Sequence, residues 1–163
     1  MLAPTQTRVT MILPSDREIV LTRVFDAPRR LVFEAWTKPE HVRRWYGCRE
    51  TELVVCEIDL RVGGAWRYTL RGSNGASHTM QGVYREISPP GRLVYSEQYV
   101  TRGFTSKEAL ATVLFAEHDG MTVLTSTLLY ASKADRDAHL ATGMEQGAGA
   151  TLDRLAVHLA TMA

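Results

Sequence analysis

Cysteine is scarce in this chain. Only Cys48 and Cys56 occur among 163 residues, and their eight-residue separation matches no redox or zinc motif. That leaves a cytoplasmic protein with free thiols as the expectation. An excess of one charge is missing too, because 19 Lys and Arg face 18 Asp and Glu, for a net charge of +1. No global field would draw such a chain onto nucleic acid or an anionic membrane. No apolar run approaches the ~20 residues that span a bilayer. The opening "MLAPTQTRVTMILPSDRE" lacks the basic and continuous apolar regions of a secretion signal. His41, His78, His118, His139 and His158 are scattered, with no HxH or HExxH pattern, so no metal is expected. GxSxG, P-loop and dinucleotide fingerprints are also absent, and no cofactor is expected.

What is present is an ordinary globular balance of 45% hydrophobic and 23% charged residues. Residues 1–16 read as a loose leader, part of which could add to a sheet edge, and residues 17–163 as a single domain. The stretch "REIVLTRVF" alternates Ile19, Leu21, Arg23 and Phe25 against Glu18, Val20, Thr22 and Val24, as a buried strand does. Asp26 is then a candidate N-cap, with Pro28 early in a helix that carries Leu31, Val32, Ala35 and Trp36 at helical spacing. "TKPEHVRRW" restarts the pattern, with Thr37 as cap, Pro39 in the first turn, and Val42 and Trp45 inward. Arg29, Arg30, Arg43 and Arg44 fall off the apolar positions, so this segment reads as a helix pair closing one end of a sheet, with no nucleic-acid surface.

Six further strand signals follow at short intervals: "TELVVCEIDL", "AWRYTLRG", "HTMQGVYREI", "LVYSEQYV", "ALATVLFAE" and "MTVLTSTLLY". The links between them are turn sequences, "HDG" before the last being a hairpin signal. Short links favour an antiparallel meander, and counting the first strand gives six to seven strands. Finally, "SKADRDAHLATGMEQGAGATLDRLAVHLATMA" places Leu140, Met144, Ala148, Leu152, Leu155 and Leu159 at steps of three and four. One long C-terminal helix is expected, capped by Ser132 or Asp135.

With these elements in order, the sequence resembles the START-like (Bet v 1-like, SRPBCC) superfamily, in particular the family named after the C-terminal domain of the Hsp90 ATPase activator. The stretches that carry the likeness are "FDAPRRLVFEAWTKPEHVRRWYG", "VGGAWRYTL", "GVYREISPPGRLVYS", "HDGMTVLTSTLLY" and "RDAHLATGMEQGAGATLDRLAVHL". The resemblance implies an α+β helix-grip fold, a curved antiparallel sheet wrapped around the C-terminal helix with a cavity between them. It also implies a choice of roles, since members include carriers of lipids and hormones and cyclases of polyketide chains. Many relatives place a tryptophan after the glycine of the final helix. Here Gly147-Ala148 stands in its place, which implies an enlarged or reshaped cavity.

The candidate site residues follow from strand faces. Trp66, Tyr68 and Leu70 share one face, opposite Arg67, Thr69 and Arg71. If the first set faces the helix, its aromatic walls suit a partly apolar small molecule; core filling is the plain alternative. His78, Met80 and Tyr84 share a face unless Gly82 marks a bulge that flips the alternation. Tyr95, Glu97 and Tyr99 form the next set. Glu97 either meets an arginine or a ligand, or its strand end is exposed. Val113 and Phe115 face Leu124, Ser126, Leu128 and Tyr130 across the last hairpin. Trp45 and Tyr46 can flank a cavity mouth. Gly143, Gly147 and Gly149 signal either a kink or a face that something approaches closely, with Met144 beside them as an adaptable wall.

The leading expectation is binding of a small, mainly hydrophobic or amphipathic molecule between sheet and helix. A cyclase-, aromatase- or hydrolase-like enzyme in the same cavity is the first alternative, using His78, Tyr84, Glu97 and Tyr130 if they converge. A co-chaperone-like interaction module is the second. Homodimerisation through an edge strand or the leader is left open.

Overall fold

Strict alternation governs the first long strand. In the computed structural model, which describes residues 8–47 and 50–162, β2 (Glu18–Phe25) buries Ile19, Leu21, Arg23 and Phe25 and leaves the intervening side chains half-buried. Cys48 lies outside the described residues, while Cys56 is a buried free thiol. The remaining strands are β1 (Thr10–Ile12), β3 (Thr51–Ile58), β4 (Ala65–Gly72), β5 (Ser77–Ser88), β6 (Arg92–Thr101), β7 (Phe104–Thr105), β8 (Ala109–His118) and β9 (Met121–Leu129). They form one nine-stranded antiparallel sheet in the order β1-β2-β9-β8-β6-β5-β4-β3, with β7 paired to β6 beside that path. The two strands beyond the expected seven are short: β1 lies within the leader and β7 in the polar link after β6.

The hairpin between β8 and β9 turns on Asp119 and Gly120, both with positive φ, so His118 pairs directly with Met121. This is the geometry that a two-residue Asp-Gly loop favours. The irregularity considered at Gly82 falls elsewhere. The register shifts between Tyr84 and Glu86, so His78, Met80, Gly82 and Tyr84 keep one face. Gly82 serves a different need. A Cβ there would stand 1.7 Å from the Ser96 carbonyl oxygen and 2.8 Å from Trp66 Nε1. Only glycine lets the Trp66 indole cross β5 and donate its N–H to Ser96 at 3.2 Å.

Two helices follow β2: α1 (Arg29–Thr37) and α2 (Pro39–Trp45). Their caps differ from those expected. Pro28, not Asp26, occupies the N-cap of α1, and the Arg29 N–H donates to the Glu117 carboxylate of β8 at 2.8 Å. A residue distant in sequence thus does the capping. Thr37 turns its hydroxyl back to the Phe33 carbonyl, and Lys38 becomes the N-cap of α2. Lys38 is extended because the proline ring at 39 disfavours a helical residue before it.

The single C-terminal helix that was expected is divided into α3 (Lys133–Leu140) and α4 (Met144–Leu159). Ser132 caps α3 by accepting from the Asp135 N–H. The break falls at Gly143, whose φ of 79° is left-handed backbone that glycine adopts without a Cβ penalty. The three glycines therefore have separate explanations. Gly143 is the hinge, Gly149 is approached by the Val9 side chain, and the space above Gly147 is open.

The interior has two parts. Leu152, Leu155 and Leu159 of α4 pack with Val42, Trp45, Phe25, Phe115 and the β4 aromatics. Leu140, Met144 and Ala148 lie against Ile19, Leu21, Ala109, Ala111, Leu128 and Tyr130. Arg23 is a charged exception on the buried face of β2. It is 4% exposed, and its Nη1 reaches Asp153 of α4 at 2.6 Å, which ties the helix to the sheet.

Candidate functional site

Same-face residues of three adjacent strands build the floor of a cavity. β4 presents Trp66 and Tyr68, β5 presents Tyr84, and β6 presents Tyr95 and Glu97. The helix pair supplies the remaining wall: Trp36 from α1, Trp45 from α2, and Tyr46, which follows α2 directly. The hollow holds about 30 Å³, room for about two water-sized groups. None of its walls comes from α4, so the cavity lies between the sheet and the two short helices.

The rings form a continuous band. Trp36 meets Trp45 at 5.1 Å between centroids, Trp45 meets Tyr46 at 5.8 Å, and Tyr46 meets Tyr68 at 4.6 Å. Trp66 then contacts Tyr68 at 5.0 Å and Tyr95 at 5.3 Å, and Tyr95 contacts Tyr84 at 6.2 Å. Tilted and edge-on pairs of this kind stabilise one another beyond their simple area burial. The indole N–H groups of Trp45 and Trp66 are engaged by the carbonyls of Ala35, at 2.9 Å, and Ser96, at 3.2 Å. Their polar handles are spent on the backbone, and their π faces are held in place.

Glu97 is the sole carboxylate of this wall, and among the described residues its side chain has no hydrogen-bond or ion-pair partner. The side chain is half-buried, and loss of water pushes its carboxyl up to about 7, because no counter-ion among the described residues compensates the charged form. Burial likewise holds the Tyr46, Tyr68, Tyr84 and Tyr95 hydroxyls well above their usual range, and the nearby Glu97 charge adds to the effect at Tyr46 and Tyr95. Tyr130, raised by burial and then by Glu97, hydrogen-bonds with His139 Nδ1 of α3.

Six of the residues picked out on the sequence meet at this cavity: Trp45, Tyr46, Trp66, Tyr68, Tyr84 and Tyr95. Leu70, Val113 and Phe115 are buried in the sheet face, and Ser126 is half-buried in β9 opposite Val113. Met80 packs against the edge of the main core opposite Tyr99, and His78 stacks against Tyr99 at 5.3 Å. Gly143, Met144 and Gly147 belong to the hinge and first turns of α4, away from the aromatic wall.

Trp36 is a cavity residue that strand-face reasoning could not select, and Glu97, placed on one face with Tyr95 and Tyr99, is weighed there without being chosen as a cavity residue. Trp36 follows helical apolar spacing and reads equally well as core. Among the described residues no group of three or more His, Cys, Asp or Glu could hold a metal ion, and no helix is long and apolar enough to cross a membrane.

The profile of the family described as "Activator of Hsp90 ATPase homolog 1-like protein" matches residues 26–160. No curated protein matches the sequence. Among solved structures, a protein from Rhodobacter sphaeroides is 27% identical, with 94% of this chain and 99% of that one covered at a TM-score of 0.87. The AHSA1 protein from Silicibacter pomeroyi is 16% identical, with 90% and 99% covered at a TM-score of 0.74. A protein from Nitrosomonas europaea is 21% identical, with 92% and 98% covered at a TM-score of 0.81. The last two likenesses are of fold.

Proposed function

This chain belongs to the Activator of Hsp90 ATPase homolog 1-like family, and from that premise we propose that it is a cytoplasmic binder of a small organic molecule, mainly apolar, whose leading end enters the aromatic cavity. The observation that carries this reading is the wall itself, seven aromatic rings and one carboxylate, unpaired among the described residues, converging on one hollow. A core packed for stability alone gains nothing from leaving a carboxylate there without a partner.

At about 30 Å³ the hollow is far smaller than the several hundred Å³ of a site that engulfs a drug-sized ligand. Only one end of a molecule enters it. The rest has a path along the same face of β5 and β6, where half-buried Met80 and His78 and exposed Tyr99 continue the surface beyond Glu97. Apolar area covered there contributes about 25 cal/mol per Å², reduced by the cost of ordering the ligand.

A second reading has its own support. A carboxyl poised at about 7 is matched to proton transfer at neutral pH, so Glu97 could act as acid or base on a bound molecule. Native mass spectrometry of the purified protein tests the first reading through a co-purifying molecule. That molecule, added back, should raise the melting temperature by mass action and be recovered unchanged. Its conversion, with turnover lost in Glu97→Gln, would favour the enzyme. The co-chaperone reading rests on the family's description alone.

A further inference from the structure

We propose that the group entering the cavity is a small ammonium, the protonated head of a primary amine, held by the Glu97 carboxylate and the surrounding aromatic faces. The proposal rests on the small-molecule reading above and specifies its chemistry. Three observations converge on it.

The first is charge. Among the described residues the wall carries one carboxylate and no basic side chain. Aromatic rings present negative π faces, so the lining attracts cations and repels anions. Glu97 is half-buried, and a carboxylate withdrawn from water is costly until it is paired; nothing among the described residues pairs it. The second is donor supply. The indole N–H groups of Trp45 and Trp66 already serve backbone carbonyls, Trp36 hydrogen-bonds with Tyr95 and Tyr68 with Tyr84, and among the described residues none of the wall's donors is hydrogen-bonded to Glu97. An ammonium brings three donors of its own. The third is size. Room for about two water-sized groups admits an ammonium and its first methylene, and it excludes a quaternary trimethylammonium head.

The pH behaviour can be assigned to Glu97 because its ionisable neighbours stay silent near neutrality. Tyr46 after α2, Tyr68 on β4, Tyr84 on β5, Tyr95 on β6 and Tyr130 after β9 are all held neutral. His139 behind Tyr130, and His78 farther along β5, are both pushed below their ordinary value by burial. On β8 the residue opposite Glu97 is Ala109, which does not titrate. Ionised Glu97 is therefore the form that binds the cation, and it is lost as pH falls through about 7.

The test uses probes of one shape and different charge, followed by calorimetry and tryptophan fluorescence on the whole chain at pH about 8. Hexylammonium should bind at least tenfold more tightly than hexanol, while hexanoate and tetramethylammonium should give no saturable signal. Lowering the pH to about 6.5, where His78 and His139 are still neutral, should weaken hexylammonium about fourfold and leave hexanol unchanged. In Glu97→Gln the two should bind alike. Equal affinity of hexylammonium and hexanol for the natural protein, or a preference that survives Glu97→Gln, would overturn the ammonium assignment and leave small-molecule binding standing. Failure of every probe to bind the natural protein would overturn both. The pH series and the hexanol comparison need no variant, so the test holds however the substituted chain folds.

Discussion

Replacing Glu97 by glutamine should stabilise this protein, and only above a certain pH. The carboxyl rises from its ordinary 4.5 to about 7 on folding, because burial penalises the charged form. Below pH 4.5 it is protonated in folded and unfolded chains alike and contributes no difference. Between 4.5 and about 7 the unfolded chain gives up this proton while the folded chain keeps it, so folding stability is lost as pH rises. Above about 7 the full cost is present. At about 1.4 kcal/mol for each tenfold change in proton affinity, that cost is about 3 kcal/mol, an upper bound because the cavity can admit water. Glutamine keeps the shape and cannot ionise. Urea unfolding of both proteins from pH about 4 to 8.5 isolates the effect, since every other group cancels in the difference. The two curves should coincide at the acid end and part by up to about 3 kcal/mol at pH 8, or about 6–12 °C in melting temperature. A constant difference across this range would show that folding leaves the carboxyl's proton affinity unchanged, and a natural protein that is the more stable at pH 8 would show that the carboxylate is paired. The account of the cavity would then be wrong.

Gly82→Ala forces a Cβ to within 1.7 Å of the Ser96 carbonyl, so β5 and β6 must separate locally and the Trp66 hydrogen bond is lost. A destabilisation of about 2–3 kcal/mol and a red shift of tryptophan emission should accompany it. Asp153→Ala removes the charged partner of buried Arg23 and should cost about 1–2 kcal/mol by chemical denaturation, a cost that shrinks as salt rises because Asp153 is mostly exposed. His41 and His158 meet at 2.9 Å between α2 and α4, and His158 is held below its ordinary 6.5 by burial, then by His41 and Arg44. Its share of stability is present above 6.5 and lost as pH falls through the lowered value. An NMR titration should place the His158 midpoint below that of a free imidazole, and a midpoint at or above 6.5 would refute the pairing.

Much of the fold was legible in the sequence because it depends on local chemistry. The alternation in β2, the Asp-Gly turn between β8 and β9, and the proline that separates α1 from α2 each act within a few residues. Where distant atoms intervened, local reading gave a different answer. Asp26 and Thr37 are sound cap residues, yet Glu117 from β8 satisfied the start of α1 and Pro39 moved the start of α2 to Lys38. The glycines before and within α4 looked alike on paper. One proved to be a left-handed hinge, one a contact for Val9, and one simply open.

By itself the sequence determined the strand faces, including the one that Tyr95, Glu97 and Tyr99 share, since side-chain direction follows from the two-residue period of a strand. Only the tertiary structure decided what that face meets. The packing of α1 against β8 and β9 and of α2 against β3 and α4 brings Trp36, Trp45 and Tyr46 to the cavity that Glu97 lines, and it places no counter-ion there among the described residues. A carboxylate's character is set by its surroundings, which in this protein come from segments up to sixty-one residues away along the chain.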